Sequence, residues 1–113
     1  MSPSDRLRLE HMLSAANGAI GAAAGRSPAD LDLSNDFTLA LVKRVEIVGE
    51  AAGRVAIETQ VQFLDIPWQK ITSTRHRLVH AYDAIDLQIL WSIVSLDLPP
   101  LIQQLERALA SSD

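Results

Sequence analysis

An all-α fold is predicted by three features of this sequence. Apolar residues recur at helical spacing in several segments, loop-forming residues separate those segments, and no strand-turn-strand pattern occurs. With 113 residues, 48% of them hydrophobic, the chain can bury one core but not two. The sequence therefore predicts a single domain over residues 1–113, built as an up-and-down bundle of four to five helices.

The first helix is predicted over about residues 4–24, with Ser4 or Asp5 as its cap. Gly25 follows the last residue with helical periodicity and is expected to end the helix. Residues 26–36 are rich in Ser, Asp, Asn and Pro, which is typical of a loop. Its length suits a connection between two helices.

A second helix is predicted from about Phe37, with Ser34 or Asn35 as its cap. Gly49 and Gly53 lie inside it and each weakens an isolated helix by about 1 kcal/mol relative to alanine, so a close-packed neighbour is expected to compensate. The clearest apolar stripe of the chain runs along this helix at Leu41, Val45, Val48, Ala52 and Val55.

The second half of the chain predicts three more helical segments. One starts near Pro67, because proline is well tolerated at the first helical position, and runs to about Val79. Another follows Asp83 and Asp86, whose carboxylates suit a helix N-terminus. The pair Pro99-Pro100 is expected to break or sharply kink it before a last amphipathic segment.

The composition limits the classes of function. Without cysteine the chain has no disulfide, thiolate metal site or thiol nucleophile, which fits a reducing cytosol. The N-terminus lacks a signal-peptide core and no apolar run approaches the roughly 18 residues of a membrane span, so a soluble cytoplasmic protein is expected. A net charge of -4 argues against coating nucleic acid through bulk electrostatics, so any nucleic-acid contact must be local.

One basic segment stands out in this acidic chain. No carboxylate occurs between Asp65 and Asp83. Arginine binds phosphate oxygens bidentately and stays charged, while imidazole exchanges a proton near neutral pH. The basic or titratable side chains of this window are Lys70, Arg75, His76, Arg77 and His80. This composition favours chemistry on phosphate groups, most simply those of RNA.

The helical geometry of this segment restricts how its side chains can meet. At about 100° per residue, Arg75 and Tyr82 are nearly in line on a straight helix, whereas His80 lies about 140° from Arg75. Convergence therefore requires either that the helix end near His80 or that a second copy of the chain supply half of the site. Both alternatives predict a site at a helix end or at a dimer seam.

Two other interpretations of the segment remain open. His76 and His80 are spaced to share a metal on one helical face, but Arg77 stands where the glutamate of an H-E-x-x-H site would be, and no further ligand is evident. No metal and no cofactor is therefore expected. Alternatively, a helix end rich in Arg and His satisfies its last carbonyls and the negative end of the helix dipole, which is a purely structural role.

The run Arg75-x4-His80-x-Tyr82 resembles the Arg-x4-His-x-Tyr signature of the HepT toxins, which are members of the HEPN superfamily. The resemblance extends over nearly the whole chain. The stretches similar to those typical of HepT-like proteins are Leu7–Ala16, Lys43–Ala52, Ile66-Pro67-Trp68 and Asp97-Leu98-Pro99.

This resemblance implies a HEPN-like helical bundle that dimerises, with the Arg and His of both chains in one cleft, and a metal-independent ribonuclease activity. Arg75 and His80 would be the catalytic residues: Arg75 stabilises the phosphate and its transition-state charge, and His80 transfers a proton as the RNA 2'-hydroxyl attacks phosphorus. His76 and Arg77 would contact the substrate. The position of His76 is often asparagine in these toxins, which leaves its role open.

The resemblance also implies a partner, a small nucleotidyltransferase antitoxin of the MntA type that adds AMP to the motif tyrosine. The acceptor would be Tyr82, the only tyrosine in the chain. The alternative function is a non-catalytic helical dimer that binds such a nucleotidyltransferase. Glu46 and Glu50 also match positions typical of the family, and we interpret them as structural partners of basic groups.

Overall fold

The computed structural model describes residues 1–79 and 84–111. Within these ranges no β-strand occurs, and an isolated antiparallel bridge pairs Val79 with Ile85. The helices are α1 (Pro3–Ala23), α2 (Asp36–Gly53), α3 (Ile57–Gln62), α4 (Trp68–Thr72), α5 (Thr74–Leu78), α6 (Leu87–Ser92) and α7 (Leu98–Ser111). The predicted all-α fold is confirmed.

The N-cap of helix α1 lies two or three residues before the predicted one. The hydroxyl of Ser2 accepts a hydrogen bond from the Asp5 amide at 3.0 Å, so the cap is neither Ser4 nor Asp5. Pro3 explains the shift, because proline at the first helical position needs no hydrogen-bonding amide. At the other end, Gly25 adopts a φ of 77°, a left-handed conformation that glycine tolerates best.

Helix α2 is capped by Asn35, one of the two predicted residues, whose side chain accepts from the Thr38 amide at 2.8 Å. At Gly49 a Cβ atom would lie 3.2 Å from the carbonyl oxygen of Ile71. The close-packed neighbour that was expected is therefore the backbone of α4. At Gly53 no such neighbour lies within 4 Å, so the expectation fails there.

Helix α3 was not predicted, because its start depends on a residue far away in the sequence. Asp5 is only 5% exposed, and its carboxylate accepts from the Ala56 amide at 3.2 Å and from the Thr59 hydroxyl at 2.6 Å. Ala56, at the N-cap position, has no side-chain oxygen of its own. The first turn of α1 thus supplies the acceptor that the start of α3 lacks.

The helix predicted to start near Pro67 is present as two short helices. Pro67 is the N-cap residue of α4 rather than its first helical residue, and Ser73 separates α4 from α5. The indole of the buried Trp68 donates to the Phe63 carbonyl at 3.0 Å and fixes the start of α4. Helix α5 ends at Leu78, close to the predicted end.

The proline pair changes the helical hydrogen-bond pattern without ending the helical path. Asp86 caps α6 by accepting from the Ile89 amide at 3.0 Å. Residues Ile93–Asp97 form a π-helical stretch that leads directly into α7, with the Leu98 amide bonded to the Ile93 carbonyl. Since Pro99 and Pro100 cannot donate, carbonyls one turn earlier lose their usual partners, and the wider turn accommodates this.

The core lies where α1 packs on α2 and on α7, and α4 and α5 also pack against α2. No helix in the described ranges is long and apolar enough to cross a bilayer. The largest core side chains that are at most 1% exposed are Leu9, Met12, Leu41, Val45, Ile66, Leu78, Leu90 and Leu105. The apolar stripe predicted for α2 is confirmed at Leu41, Val45, Val48 and Ala52, with Val55 buried just beyond the helix.

Replacing Asp5 tests the contact between α1 and α3. Asp5→Ala leaves the Thr59 hydroxyl buried without its acceptor, so we expect a loss of about 2 kcal/mol in the free energy of unfolding, measured by urea titration. Glu10→Ala, at an exposed position of the same helix, is the matched control and should change stability by less than about 0.5 kcal/mol. Equal stability of the two variants would contradict the proposed role of Asp5.

Candidate functional site

The basic segment identified in the sequence begins on α5, which carries Arg75, His76 and Arg77. His80 and Tyr82 lie outside the described residues. The backbone segments that flank residues 80–83 are paired with each other. Val79 forms an antiparallel bridge with Ile85, and the Asp86 amide donates to the Leu78 carbonyl at 2.8 Å.

The end of α5 bears on how the side chains of the segment can meet. Val79 has φ −101° and ψ 122°, which is extended backbone, so α5 does not continue towards His80 as a straight helix. Of the two conditions under which the side chains of the segment can converge, the structure therefore fulfils the first, a helix that ends near His80. Convergence within one chain no longer needs a second copy.

Arg75 is an exposed cation oriented by a carboxylate. Its guanidinium lies 2.6 Å from Glu46 Oε2, and the side chain is 72% exposed while that of Glu46 is 25% exposed. The interpretation of Glu46 as a structural partner of a basic group is confirmed. The ion pair fixes Arg75 on the α2 side of α5 and leaves most of the guanidinium accessible to an anion.

Arg77 makes a different contact. Its guanidinium lies 3.1 Å from Asp97 Oδ2, and the Lys70 ammonium lies 3.2 Å from the other oxygen of the same carboxylate. The side chains of Arg77 and Asp97 are 28% and 23% exposed, so this pair is considerably less accessible than Arg75. The structure thus gives Arg77 an anchoring contact. The substrate contact expected from the sequence stays a prediction.

Asp97 is the residue of this site that the sequence analysis did not single out. It lies 20 residues after Arg77, outside the basic segment between Asp65 and Asp83, which contains no carboxylate. The available signal was its place in the Asp97-Leu98-Pro99 stretch, which resembles the family. The carboxylate missing from the basic segment is supplied by the π-helical stretch before α7.

His76 is exposed on α5, and the described residues give it no hydrogen bond or ion pair. Residues 1–79 and 84–111 contain no group of three or more side chains arranged to hold a metal ion. The metal interpretation of His76 with His80 involves a residue outside those ranges. His76 is thus a second exposed polar side chain on the helix that carries Arg75.

A cavity of about 130 Å³ lies beneath α5, between α2, α4 and α7. Arg77, Lys70 and Asp97 line its polar side, and Ile71 and Leu101 are among its apolar walls. On this side α5 therefore rests on ion pairs rather than on continuous apolar packing. Thr74 and Leu78 of α5 are buried, so the position of the basic segment depends both on those ion pairs and on this packing.

Comparison with known proteins identifies the family of this chain. The family model described as ribonuclease HepT-like matches residues 12–108. A protein of Caldanaerobacter subterraneus subsp. tengcongensis, provisionally named an RNase, is 30% identical over 101 residues, which cover 89% of this chain and 90% of that relative.

Two archaeal relatives match a shorter part. A probable ribonuclease HepT of Thermococcus cleftensis is 32% identical over 68 residues, or 60% of this chain and 62% of that protein. A provisionally named RNase of Methanocaldococcus jannaschii is 33% identical over 67 residues, or 59% of this chain and 62% of the relative. No match was found among solved structures. With a family model that spans almost the whole chain and includes α5, this protein belongs to the ribonuclease HepT-like family.

Proposed function

We propose that this protein is a metal-independent endoribonuclease and the toxin of a toxin-antitoxin pair. The observation that carries the proposal is Arg75, an accessible guanidinium held by Glu46 at the start of the Arg75-x4-His80-x-Tyr82 run of a HepT-like chain. An acidic protein that acts on RNA needs such a local cation, because its net charge repels the substrate.

The proposed reaction uses the RNA itself as nucleophile. His80 takes the proton of a ribose 2'-hydroxyl, the 2'-oxygen forms a bond to the adjacent phosphorus, and the bond from phosphorus to the 5'-oxygen breaks. The leaving 5'-oxygen receives a proton from water, His80 returns the proton it took to the solvent, and the products are a 2',3'-cyclic phosphate and a free 5'-hydroxyl. Arg75 binds the non-bridging oxygens and stabilises the charge that develops on them.

The other residues of the segment have supporting roles in this proposal. His76 contacts the substrate beside Arg75, and Arg77 contributes positive potential while Asp97 holds it. We propose a homodimer in which the Arg75 and His80 residues of both copies face one cleft. Because α5 ends before His80, the support for the dimer is the family relationship rather than the geometry of the helix.

A non-catalytic role is the alternative. The same helical domain would then bind a nucleotidyltransferase without cleaving RNA. Pure protein that binds such a partner tightly, yet leaves RNA intact at high enzyme excess, would favour this alternative over the nuclease.

The catalytic assignment is tested by Arg75→Ala and His80→Ala. Each should lower the rate of RNA cleavage by at least about 100-fold, since each removes either transition-state charge stabilisation or proton transfer, while the circular dichroism spectrum stays unchanged. Arg107→Ala is the matched control, because Arg107 is an exposed arginine paired with Asp65 on another part of the surface. Cleavage at the wild-type rate by both test variants would refute the assignment.

Metal independence is tested by chelation. Cleavage should proceed at the same rate after exhaustive treatment with EDTA, because attack by the 2'-hydroxyl needs no metal-bound water. If cleavage stopped and returned on addition of a divalent cation, the interpretation of His76 and His80 as metal ligands would replace the proposal.

The regulatory part of the proposal concerns Tyr82. An MntA-type nucleotidyltransferase is expected to add AMP to its hydroxyl, which places a negative charge beside the cationic cleft and repels RNA phosphate. Intact mass spectrometry after co-expression should show one or more added AMP groups together with loss of cleavage. Tyr82→Phe should retain cleavage and gain no mass, and AMP found on that variant would disprove the site.

A further inference from the structure

A second cationic cleft lies between α1 and α2, outside the segment that carries the proposed catalysis. Its volume is about 90 Å³. Arg8 and His11 reach it from α1, and Arg54 reaches it from the residue that follows α2. Glu50, Ile47 and Ala51 complete its lining.

The arginines of this cleft differ from those that form ion pairs elsewhere in the described residues. Neither Arg8 nor Arg54 has a side-chain hydrogen bond or ion pair with another of the described residues, whereas Arg75, Arg77 and Arg107 each have a carboxylate partner. The Nε atom of Arg8 is buried and has no acceptor. The other guanidinium nitrogens of Arg8 and those of Arg54 are not buried in this way, so they are open to an acceptor from outside the chain.

Charge and size define that acceptor. Two guanidinium groups against the single carboxylate of Glu50 leave an excess of positive charge. Arginine recognises phosphate through paired hydrogen bonds. The cleft has room for about three water molecules, at about 30 Å³ each, which suits a phosphate group and is small for a base with its sugar.

The position of the cleft relates it to Arg75. Glu46, which holds Arg75, and Glu50, which lines the cleft, are four residues apart on α2 and therefore about 6 Å apart along the helix axis. A single strand with one phosphate at Arg75 would bring a neighbouring phosphate towards the cleft. At this spacing Glu46 and Glu50 lie on the same side of α2.

We infer that Arg8 and Arg54, with His11, bind a backbone phosphate of the RNA next to the phosphate that is cleaved. This inference rests on the proposed ribonuclease function. The cleft adds to affinity and sets the direction of the strand, and it takes no part in the chemical step.

The test measures how RNA affinity depends on salt. Arg8→Gln and Arg54→Gln are each made in the full chain with His80→Ala, which keeps the RNA intact, and Arg107→Gln in the same background is the charge-matched control. Because both arginines contact the same phosphate, each test variant should lower the slope of log affinity against log salt concentration by up to about 0.7, the value for one single-strand phosphate contact. The control should keep the parent slope. Test variants with the slope of the control would overturn the inference.

A second measurement separates the inference from the proposed function. Inorganic phosphate is added to the chain with native Arg8 while the Nε–Hε NMR signals of the arginines are followed, and the Arg8 signal should shift and saturate. Saturation without any change of the RNA slope in the variants would overturn the RNA assignment and leave a site for a free anion. If the wild type cleaved no RNA but the slopes changed as expected, the phosphate site would stand and the ribonuclease would fail.

Discussion

The ion pairs of Asp97 hold the basic segment in place, and the rest of the site depends on them. One carboxylate contacts Arg77 on α5 and Lys70 on α4, and so joins two short helices to the π-helical stretch before α7. Helices of five residues are not stable alone, because the entropic cost of helix nucleation exceeds the free energy gained from the hydrogen bonds of one turn. Their orientation therefore comes from tertiary contacts such as this one.

The π-helical stretch explains how Asp97 reaches both cations. In a π-helix each residue turns by less than in an α-helix, so the stretch sets the angular position of its side chains. Pro99 and Pro100 favour this geometry because neither can donate to a carbonyl one turn earlier. Two prolines that contact no substrate in the proposal thus help to decide where α5 lies.

Local signals in the sequence were sufficient for much of the fold. The periodicity of α2 and the cap at Asn35 depend on residues within one or two turns, and both predictions are confirmed. Helix α3 and the partners of Arg77 could not be found in this way. Asp5 meets Ala56 at a separation of 51 residues, and Arg77 meets Asp97 at 20, and no local pattern encodes such pairs.

The same distinction applies to the candidate site: some of its features can be predicted from local sequence, and others cannot. The residue types of the basic segment, and the resemblance that names Arg75 and His80, are visible in the sequence. The difference between Arg75 and Arg77 is not visible, because both are arginines on one short helix. Only the packing shows that Arg75 is 72% exposed and Arg77 is 28% exposed.

This difference decides which arginine is suited to phosphate. If a half-buried arginine moves away from its carboxylate, a partly desolvated charge is left without a partner, which costs free energy. An exposed pair such as Arg75 with Glu46 contributes typically about 1 kcal/mol or less, so a phosphate can share or displace the carboxylate at little cost. Glu46 then acts as a guide that holds the guanidinium in position until the phosphate binds. The weakness of this ion pair is consistent with a binding site, and the burial of the other is consistent with an anchor.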